Sequence, residues 1–568
     1  MIKKLLLGLL SLIVVLGVAA VLLLGRPSPP DRQLFVNGKI LTMDAGNSIV
    51  SAVAVEGERI VAVGDEEALA AYRDGADVID LGGRVMMPGV IDAHGHFPGT
   101  GTRAIMADLN SPPIGTVEEI ADIQALLKPF VDKVAAGKWV MAMGYDDTLL
   151  AEKRHPTREE LDAVSSEHPI FIVHVSGHMG VGNSLALEMS GINADTPNPE
   201  GGVIVKDPQT GEPTGLLEET SAQEVQLSTS ADIMTPGNIL AMFNTAVHDY
   251  VSQGVTTGQS GGAMGPMLKG LAWASKLGFV PFRLEVWPFW QLMGEDVLSG
   301  DVDLTPYDTP YFRGQTMKIV SDGSIQGFTG YLAHPYHTPF RGDADYQGYP
   351  IFPIEDLVDI VGRVHAAGIQ MAIHANGDAA IDDVIYAFDK AQRENPVADP
   401  RLILIHSQMA REDQLDEMKR LGITPSFFSA HTYYWGDRHR DIFMGPERAF
   451  RMSPSKSALD RDLMFSVHLD SPVVPMEPMR MVWATVNRVS TGGNVIGADQ
   501  RIPAMDALRA ITINAAYQIF REDELGSIEP GKYADLVVLD GDPLGDPMAI
   551  ADIEVLRTVV GGVTVYER

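Results

Sequence analysis

Between residues 88 and 500 the chain alternates short apolar segments with amphipathic stretches, and this alternation constrains its fold more than any other feature. Strand-like segments lie at residues 91–96, 254–258, 282–287, 317–323, 369–378, 402–408, 422–428 and 464–473. Helical periodicity lies between several of them, as at residues 355–368 and 411–422. Eight β/α units in series predict an α/β fold built on a (β/α)8 TIM barrel. The step from the first segment to the second is too long for one loop. Residues 97–235 are therefore read as a large insertion after strand one. It has a helix near residues 117–137, strands within 139–147 and 169–178, and a hairpin over 203–215.

The two ends of the chain read as β structure. Residues 33–43 and 51–64 alternate polar and apolar, the second run folding back at Glu56-Gly57-Glu58. Residues 534–540 and 555–567 do the same, with a hairpin turn at Gly561-Gly562. Neither end alone makes a sheet with a useful core. Residues 33–87 and 501–568 are thus expected to form one small β-sandwich beside a barrel domain of residues 88–500.

Residues 1–32 stand apart. Lys3 and Lys4 precede an uncharged, nearly all-apolar run from Leu5 to Leu24, and residues 25–32 read as a stiff polar linker. The run is long enough for a ~30 Å hydrocarbon core. It exceeds the ~7–15 apolar residues of a signal peptide, and no clear small-x-small cleavage site follows. It predicts an uncleaved single-pass transmembrane helix in the cell membrane, with the lysines cytoplasmic and the catalytic domain extracytoplasmic (periplasmic or extracellular). The alternative is a long signal segment cleaved on export.

Charge and cysteine content narrow the chemistry. Lys and Arg total 43 against 75 Asp and Glu, a net charge of −32. Such a surface repels nucleic acid and anionic membranes, so membrane contact is expected through the N-terminal segment only. The absence of Cys excludes disulfides, thiolate metal sites and a Cys nucleophile. No G-x-G-x-x-G follows a strand, which argues against a dinucleotide. The expected partner is a small-molecule substrate.

Metal-type ligands recur where the predicted strands end, the face on which TIM barrels carry their sites. His94 and His96, two apart, would face one side of a strand. Lys318 lies inside an apolar strand, where a charge is costly unless paired or neutralised. It either pairs with Asp322 or takes up CO2 as an anionic carbamate ligand. His374 and His406 end successive strands. Asp470 ends the last strand, beside the first, where it could bind metal and act as general base. Taken singly, each also fits an ordinary role as a core histidine, a buried ion pair or a turn residue. Together they favour a metal on His, carboxylate and carbamate. Several imidazoles favour Zn²⁺ over Mg²⁺ or Ca²⁺, and such a site with open positions is hydrolytic.

The strings MPGVIDAHGH, KIVSDGS, HANGD, LIHSQ, LDSPV and GSIEPGKYADLVVLDGDP, in this order, resemble the amidohydrolase superfamily. Within it they are most similar to amidohydrolase family 3, the branch of N-substituted formamide deformylase-like enzymes. The likeness runs from about residue 34 to 566. It includes PTREELD, SGHMGVGNSLAL and GEPTGLLEE in the insertion. The resemblance implies one or two divalent metals, often zinc, on His94, His96, Lys318, His374, His406 and Asp470, with Lys318 carboxylated when two are bound. It implies hydrolysis of a non-peptide carbon–nitrogen bond in an amide, formamide or cyclic amide, by metal-activated hydroxide with Asp470 as general base. Two departures stand out: His468 precedes Leu469-Asp470 on strand eight, and Phe428-Ser429-Ala430-His431 replaces a Gln-Pro-x-His run on strand seven. His431, with His178 from the insertion, is expected to contact substrate. The alternatives are a deaminase or an ester or lactone hydrolase on the same scaffold, or a membrane-tethered binding protein without turnover.

Overall fold

The computed structural model describes residues 25–568. The apolar run from Leu5 to Leu24, expected to anchor or export the chain, lies outside the described residues. Among the described residues no helix is long and apolar enough to cross a membrane.

Eight parallel strands follow one another in chain order: β1 (Val90–Ile91), β2 (Val255–Ala263), β3 (Arg283–Pro288), β4 (Thr316–Val320), β5 (Gln370–Ala375), β6 (Ile403–His406), β7 (Thr424–Phe427) and β8 (Ser466–Val467). Nearly all their residues are buried, as both faces of a parallel sheet require. The expected closed barrel is corrected in one respect: no sheet closes on itself. β1 to β3 belong to a four-stranded sheet, and β4 to β8 form a five-stranded one.

The break has a local cause. Strand four is interrupted at Gly314-Gln315. Its first piece, Phe312–Arg313, pairs with β3, whereas β4 pairs with β5. Leu304 leaves no room for a side chain at Gly314, where a Cβ would lie 2.6 Å from its Cδ1. A single backbone bridge, Phe289 to Lys318, spans the gap. At the other seam Asp470 N–H donates to the His94 carbonyl (3.2 Å) and His96 N–H to the Ser471 carbonyl (2.8 Å).

The intervening helices bury one stripe each. In α1 (Ile354–Ala366) the buried residues Leu357, Ile360, Val361 and Val364 follow the i, i+3, i+4, i+7 spacing. Glu355 and Asp356 in its first turn and Arg363 in its last complement the helix dipole. Helices α2 (Asp378–Glu394) and α3 (Glu412–Leu421) repeat the pattern, and Gly422, at φ 68°, terminates α3.

The chain ends meet in one sheet. Strand Leu536–Leu539 runs antiparallel to Val85–Pro88 in a six-stranded sheet, which faces a four-stranded sheet drawn from residues 32–80. Phe35, Val53, Val55 and Ile60 pack there against Met86, Leu536, Val538 and Val559. Each such burial contributes roughly 1.5–3 kcal/mol. Arg283 of β3 forms a bidentate pair with Asp535 (2.7 and 2.9 Å), tying this sandwich to the barrel strands.

Between β1 and β2 the chain builds its own six-stranded sheet, with apolar clusters on both faces. Its strands Ile170–His174 and Pro213–Glu219 end near the C-terminal ends of the barrel strands. Their last turns carry His178 and Glu219 towards His374.

Candidate metal centre

His94 and His96 do not share a face of a strand, as their spacing suggested. β1 stops at Ile91, and both lie in the turn beyond it. Gln259 of β2 shapes that turn. Its Oε1 accepts from His94 Nδ1 at 2.6 Å and from Gly95 N–H at 3.0 Å, and its Nε2 donates to the Ala93 carbonyl at 3.3 Å. An amide oxygen only accepts, so the His94 proton sits on Nδ1 and the lone pair on Nε2. His94 Nε2, His96 Nε2 and an Asp470 carboxylate oxygen all lie within 4.8 Å of one another.

The other predicted residues surround this triplet. Lys318 Nζ is 3.0 Å from His94 Nε2. His406 Nε2 is 3.9 Å from Asp470 Oδ2, and the His374 and His406 rings meet edge to face at 4.4 Å. Each of these two histidines has its Nδ1 engaged elsewhere. His374 Nδ1 faces Asp322 Oδ1 at 3.1 Å, and His406 Nδ1 faces His468 Nε2 at 3.1 Å. His468 is held in turn by Ser426 Oγ at 2.9 Å. Such partners fix the ring orientation of metal-binding histidines and raise their basicity.

The Lys318–Asp322 pair, one of two readings of that lysine, is not formed. Asp322 lies past the end of β4, in a turn. Its Oδ1 also accepts from Asn376 N–H (2.9 Å), and its Oδ2 accepts from Gly377 N–H (2.8 Å) and Tyr331 N–H (3.0 Å). Lys318 is thus left buried without a hydrogen-bonded carboxylate, and burial pushes its amine down to about 7, against the pull of Asp470.

The remaining electrostatics follow from burial. It drives His94 and His406 well below their ordinary value and lowers His374. Burial works to raise the Asp470 carboxyl, but His96, His406 and His94 outweigh it and hold it well below the usual range. Asp470 Oδ1 is buried without a hydrogen bond, although His96 Nε2 stands 3.1 Å away. His94, His374 and His406 held toward their neutral forms by burial, an ionised carboxylate with an unbonded oxygen and a deprotonatable lysine are the donor set a divalent transition ion needs. The residues present fit such an ion.

The two expected substrate contacts differ. His178 stands at the centre, its ring 5.2 Å from that of His374 and its Nδ1 2.7 Å from Glu219 Oε2. His431 is further out. It packs between Phe428 (4.4 Å) and Trp435 (4.9 Å), with Nδ1 on His439 Nε2 at 3.2 Å, and burial pushes it down to about 3. Trp435 also lines a cavity of about 680 Å³ with Phe328, Val175, Asp147 and Arg438.

A second group, Asp146, Asp147 and His174, has the same spacing of donor atoms. Two of its members are partly engaged by other groups. His174 Nδ1 accepts from Ser176 N–H (3.2 Å), which places the ring proton on Nε2, facing Asp147 at 3.2 Å. Asp146 is held by Arg438 (2.6 Å) and the Trp435 indole N–H (3.1 Å). A serine nucleophile has no place either. The G-x-S-x-G string at 258–262 lies inside β2, where Ser260 pairs with Val286 and is buried.

Sequence reasoning missed Gln259, Asp322 as the partner of His374, His468 as the partner of His406, and Glu219. Of these only His468 left a signal, its place two residues before Asp470.

The comparisons agree with this geometry. The sequence matches the amidohydrolase family over residues 77–566. It is 31% identical over 548 residues to an N-substituted formamide deformylase of Arthrobacter pascens, covering 94% of this chain and 98% of that one. It is 27% identical over 552 residues to YtcJ of Bacillus subtilis, covering 94% and 100%. A solved structure described as an uncharacterized metal-dependent hydrolase of Pyrococcus horikoshii, 24% identical, superposes with a TM-score of 0.71 over 91% of this chain and 99% of that chain, which shows the TIM-barrel-like fold. With its histidine, aspartate and lysine cluster at the strand ends, the chain belongs to the amidohydrolase family and is a metal-dependent hydrolase acting on carbon–nitrogen bonds.

Proposed function

We propose that this hydrolase cleaves the C–N bond of a small amide, formamide or cyclic amide, with Asp470 as the residue that moves the proton. The observation that carries this reading is the convergence of His94 Nε2, His96 Nε2 and the Asp470 carboxylate, with His374 and His406 beside them. A zinc-type ion held there supplies, when bound, Lewis acidity toward the carbonyl and a lowered pKa for water. Asp470, ionised and with Oδ1 unbonded, accepts the proton of the attacking water and delivers it to the leaving nitrogen. His178 presents Nε2 at the same mouth, since Glu219 occupies its Nδ1. The cavity beyond Trp435 offers room for the part of the substrate that does not react.

Lys318 fits the same reading. Its buried amine, neutral for much of the time near pH 7, reacts with CO2 to give a carbamate and one released proton. The product restores negative charge beside His94 and adds two ligand oxygens.

The test is turnover by the full chain, supplied with zinc and bicarbonate, on N-formyl amines, N-acyl amino acids, cyclic amides, an aminopurine and a lactone. The expected result is metal-dependent amide hydrolysis that falls roughly 10²–10⁴-fold in Asp470→Asn, the contribution of a positioned base. Activity on the aminopurine or lactone alone would reassign the bond, and a fully active Asp470→Asn would remove the base assignment.

A further inference from the structure

The insertion reaches the catalytic centre through one buried carboxylate. Glu219 is the last residue of the strand Pro213–Glu219, fully buried, with φ at 52°. A non-glycine residue in that region is uncommon. It holds His178 at two points: Glu219 Oε2 lies 2.7 Å from His178 Nδ1, and Glu219 N–H donates to the His178 carbonyl at 2.7 Å. Its other oxygen, Oε1, is buried without a hydrogen bond.

The barrel makes room for this carboxylate. Gly323 directly follows Asp322, the partner of His374, and a Cβ at Gly323 would stand 2.2 Å from Glu219 Oε1. Next door, Glu218 pairs with Arg341 of the loop after β4 at 2.5 Å, so the strand end is gripped on its other side as well. A buried carboxylate with half its capacity unused is costly. What it gains in return is the fixed ring of His178, 5.2 Å from that of His374.

We infer that Glu219 is a positioning residue of this active site: its carboxylate accepts a hydrogen bond from His178 Nδ1–H and so fixes that ring with Nε2 toward the reacting group. The inference rests on the proposed C–N hydrolysis for its kinetic consequence, but not for its geometry. Gln259 does the same for His94 from within the barrel. Glu219 does it from the insertion, which makes that domain part of the site.

The experiment uses the full chain with Glu219→Ala, Glu219→Gln, His178→Ala and the Glu219→Ala/His178→Ala double variant. Zinc content, melting temperature, kcat and KM are measured on the panel amide that the wild type turns over fastest, and the ring is located in a crystal structure of Glu219→Ala. The expected result is a kcat loss of roughly 10–100-fold in Glu219→Ala, typical of a removed outer partner. Zinc content and KM should hold, and Glu219→Gln, which keeps an acceptor oxygen, should recover most of the loss. On the His178→Ala background Glu219→Ala should cost little more, because the two act as one unit. Should Glu219→Ala not fold, the crystal structure and kcat of Glu219→Gln decide, with the ring held and activity near wild type expected. A kcat unchanged in Glu219→Ala or lost to the same extent in Glu219→Gln, zinc lost in step with activity, additive losses in the double variant, or a His178 ring unmoved in Glu219→Ala would each overturn the inference. A silent wild type would instead overturn the amide reading, and the ring orientation would still decide this one.

Discussion

Replacing Gln259 by Leu removes the support of His94 while keeping much of the side-chain volume. Gln259 is buried and makes three hydrogen bonds, to His94 Nδ1, Gly95 N–H and the Ala93 carbonyl, at 2.6, 3.0 and 3.3 Å. Leu leaves two donors and one acceptor buried and unpaired. Each costs about 1–3 kcal/mol, so the metal-free protein should lose at least about 3 kcal/mol of stability, less whatever ring rotation recovers. Metal affinity should fall separately, by roughly 10–100-fold, or about 1.4–2.8 kcal/mol, because His94 can then turn its proton toward the metal side. Urea unfolding of the metal-free protein reads the first effect, and zinc competition with a chromogenic chelator reads the second. Gln259→Glu is the control. It keeps acceptors for His94 and Gly95, loses the donor to Ala93 and adds a buried charge, so its zinc affinity should fall less than that of Gln259→Leu. Zinc binding by Gln259→Leu within twofold of wild type would refute the idea that this bond sets the donor geometry.

Two further outcomes test the frame around the site. Asp535→Asn strands the fully buried Arg283 guanidinium between the barrel strands and the sandwich; denaturant unfolding should show a loss of about 3–5 kcal/mol, and a loss below 1 kcal/mol would mean the pair is not a structural tie. Burial pushes His155 down to about 4, against the opposing pull of Asp147. Below its ordinary value near 6.5 the unfolded chain therefore takes up a proton that the folded one does not. The associated stability is fully present above about pH 6.5 and is lost as pH falls toward 4, by at most roughly 3 kcal/mol. Urea midpoints of His155→Gln should fall less between pH 7 and 4.5 than those of wild type, and equal slopes would refute this.

The eight strands and the six central candidate residues were legible because each leaves a local trace. An apolar run has a period, and a ligand at its end has a fixed place in it. The residues that orient those candidates leave no trace that names their partners, although His468 is marked by its place two residues before Asp470. Gln259 and His94 are 165 residues apart, His468 and His406 are 62 apart, and Glu219 and His178 are 41 apart. A lone Gln, His or Glu in an apolar or turn segment carries no period that names its partner. Asp322 misled for a related reason: it sits four residues from Lys318, but β4 ends at Val320 and the turn beyond it aims the carboxylate at His374 and the backbone of the next loop. The conformations at the strand ends were equally silent. His406, Ser407 and Asp470 have φ of 69°, 44° and 56°, a region that costs about 1–3 kcal/mol each when surrounding contacts must enforce it.

Those same turns explain why the strand ring is complete in order yet open in hydrogen bonding. A regular strand would turn His94 and His96 to one face, but Asp470 follows a different strand and has to be brought to them. β1 and β8, two residues each, stop before those positions. The backbone beyond them is joined by the bonds from Asp470 N–H to the His94 carbonyl and from His96 N–H to the Ser471 carbonyl. Gln259, Asp322 and His468 come from β2, from the turn after β4 and from the end of β8, and each fixes one inward-facing imidazole. Three of the candidate donors, His94, His374 and His406, are thus each held by a partner from a separate element, and His94, His96 and Asp470 meet where β1 and β8 have both ended.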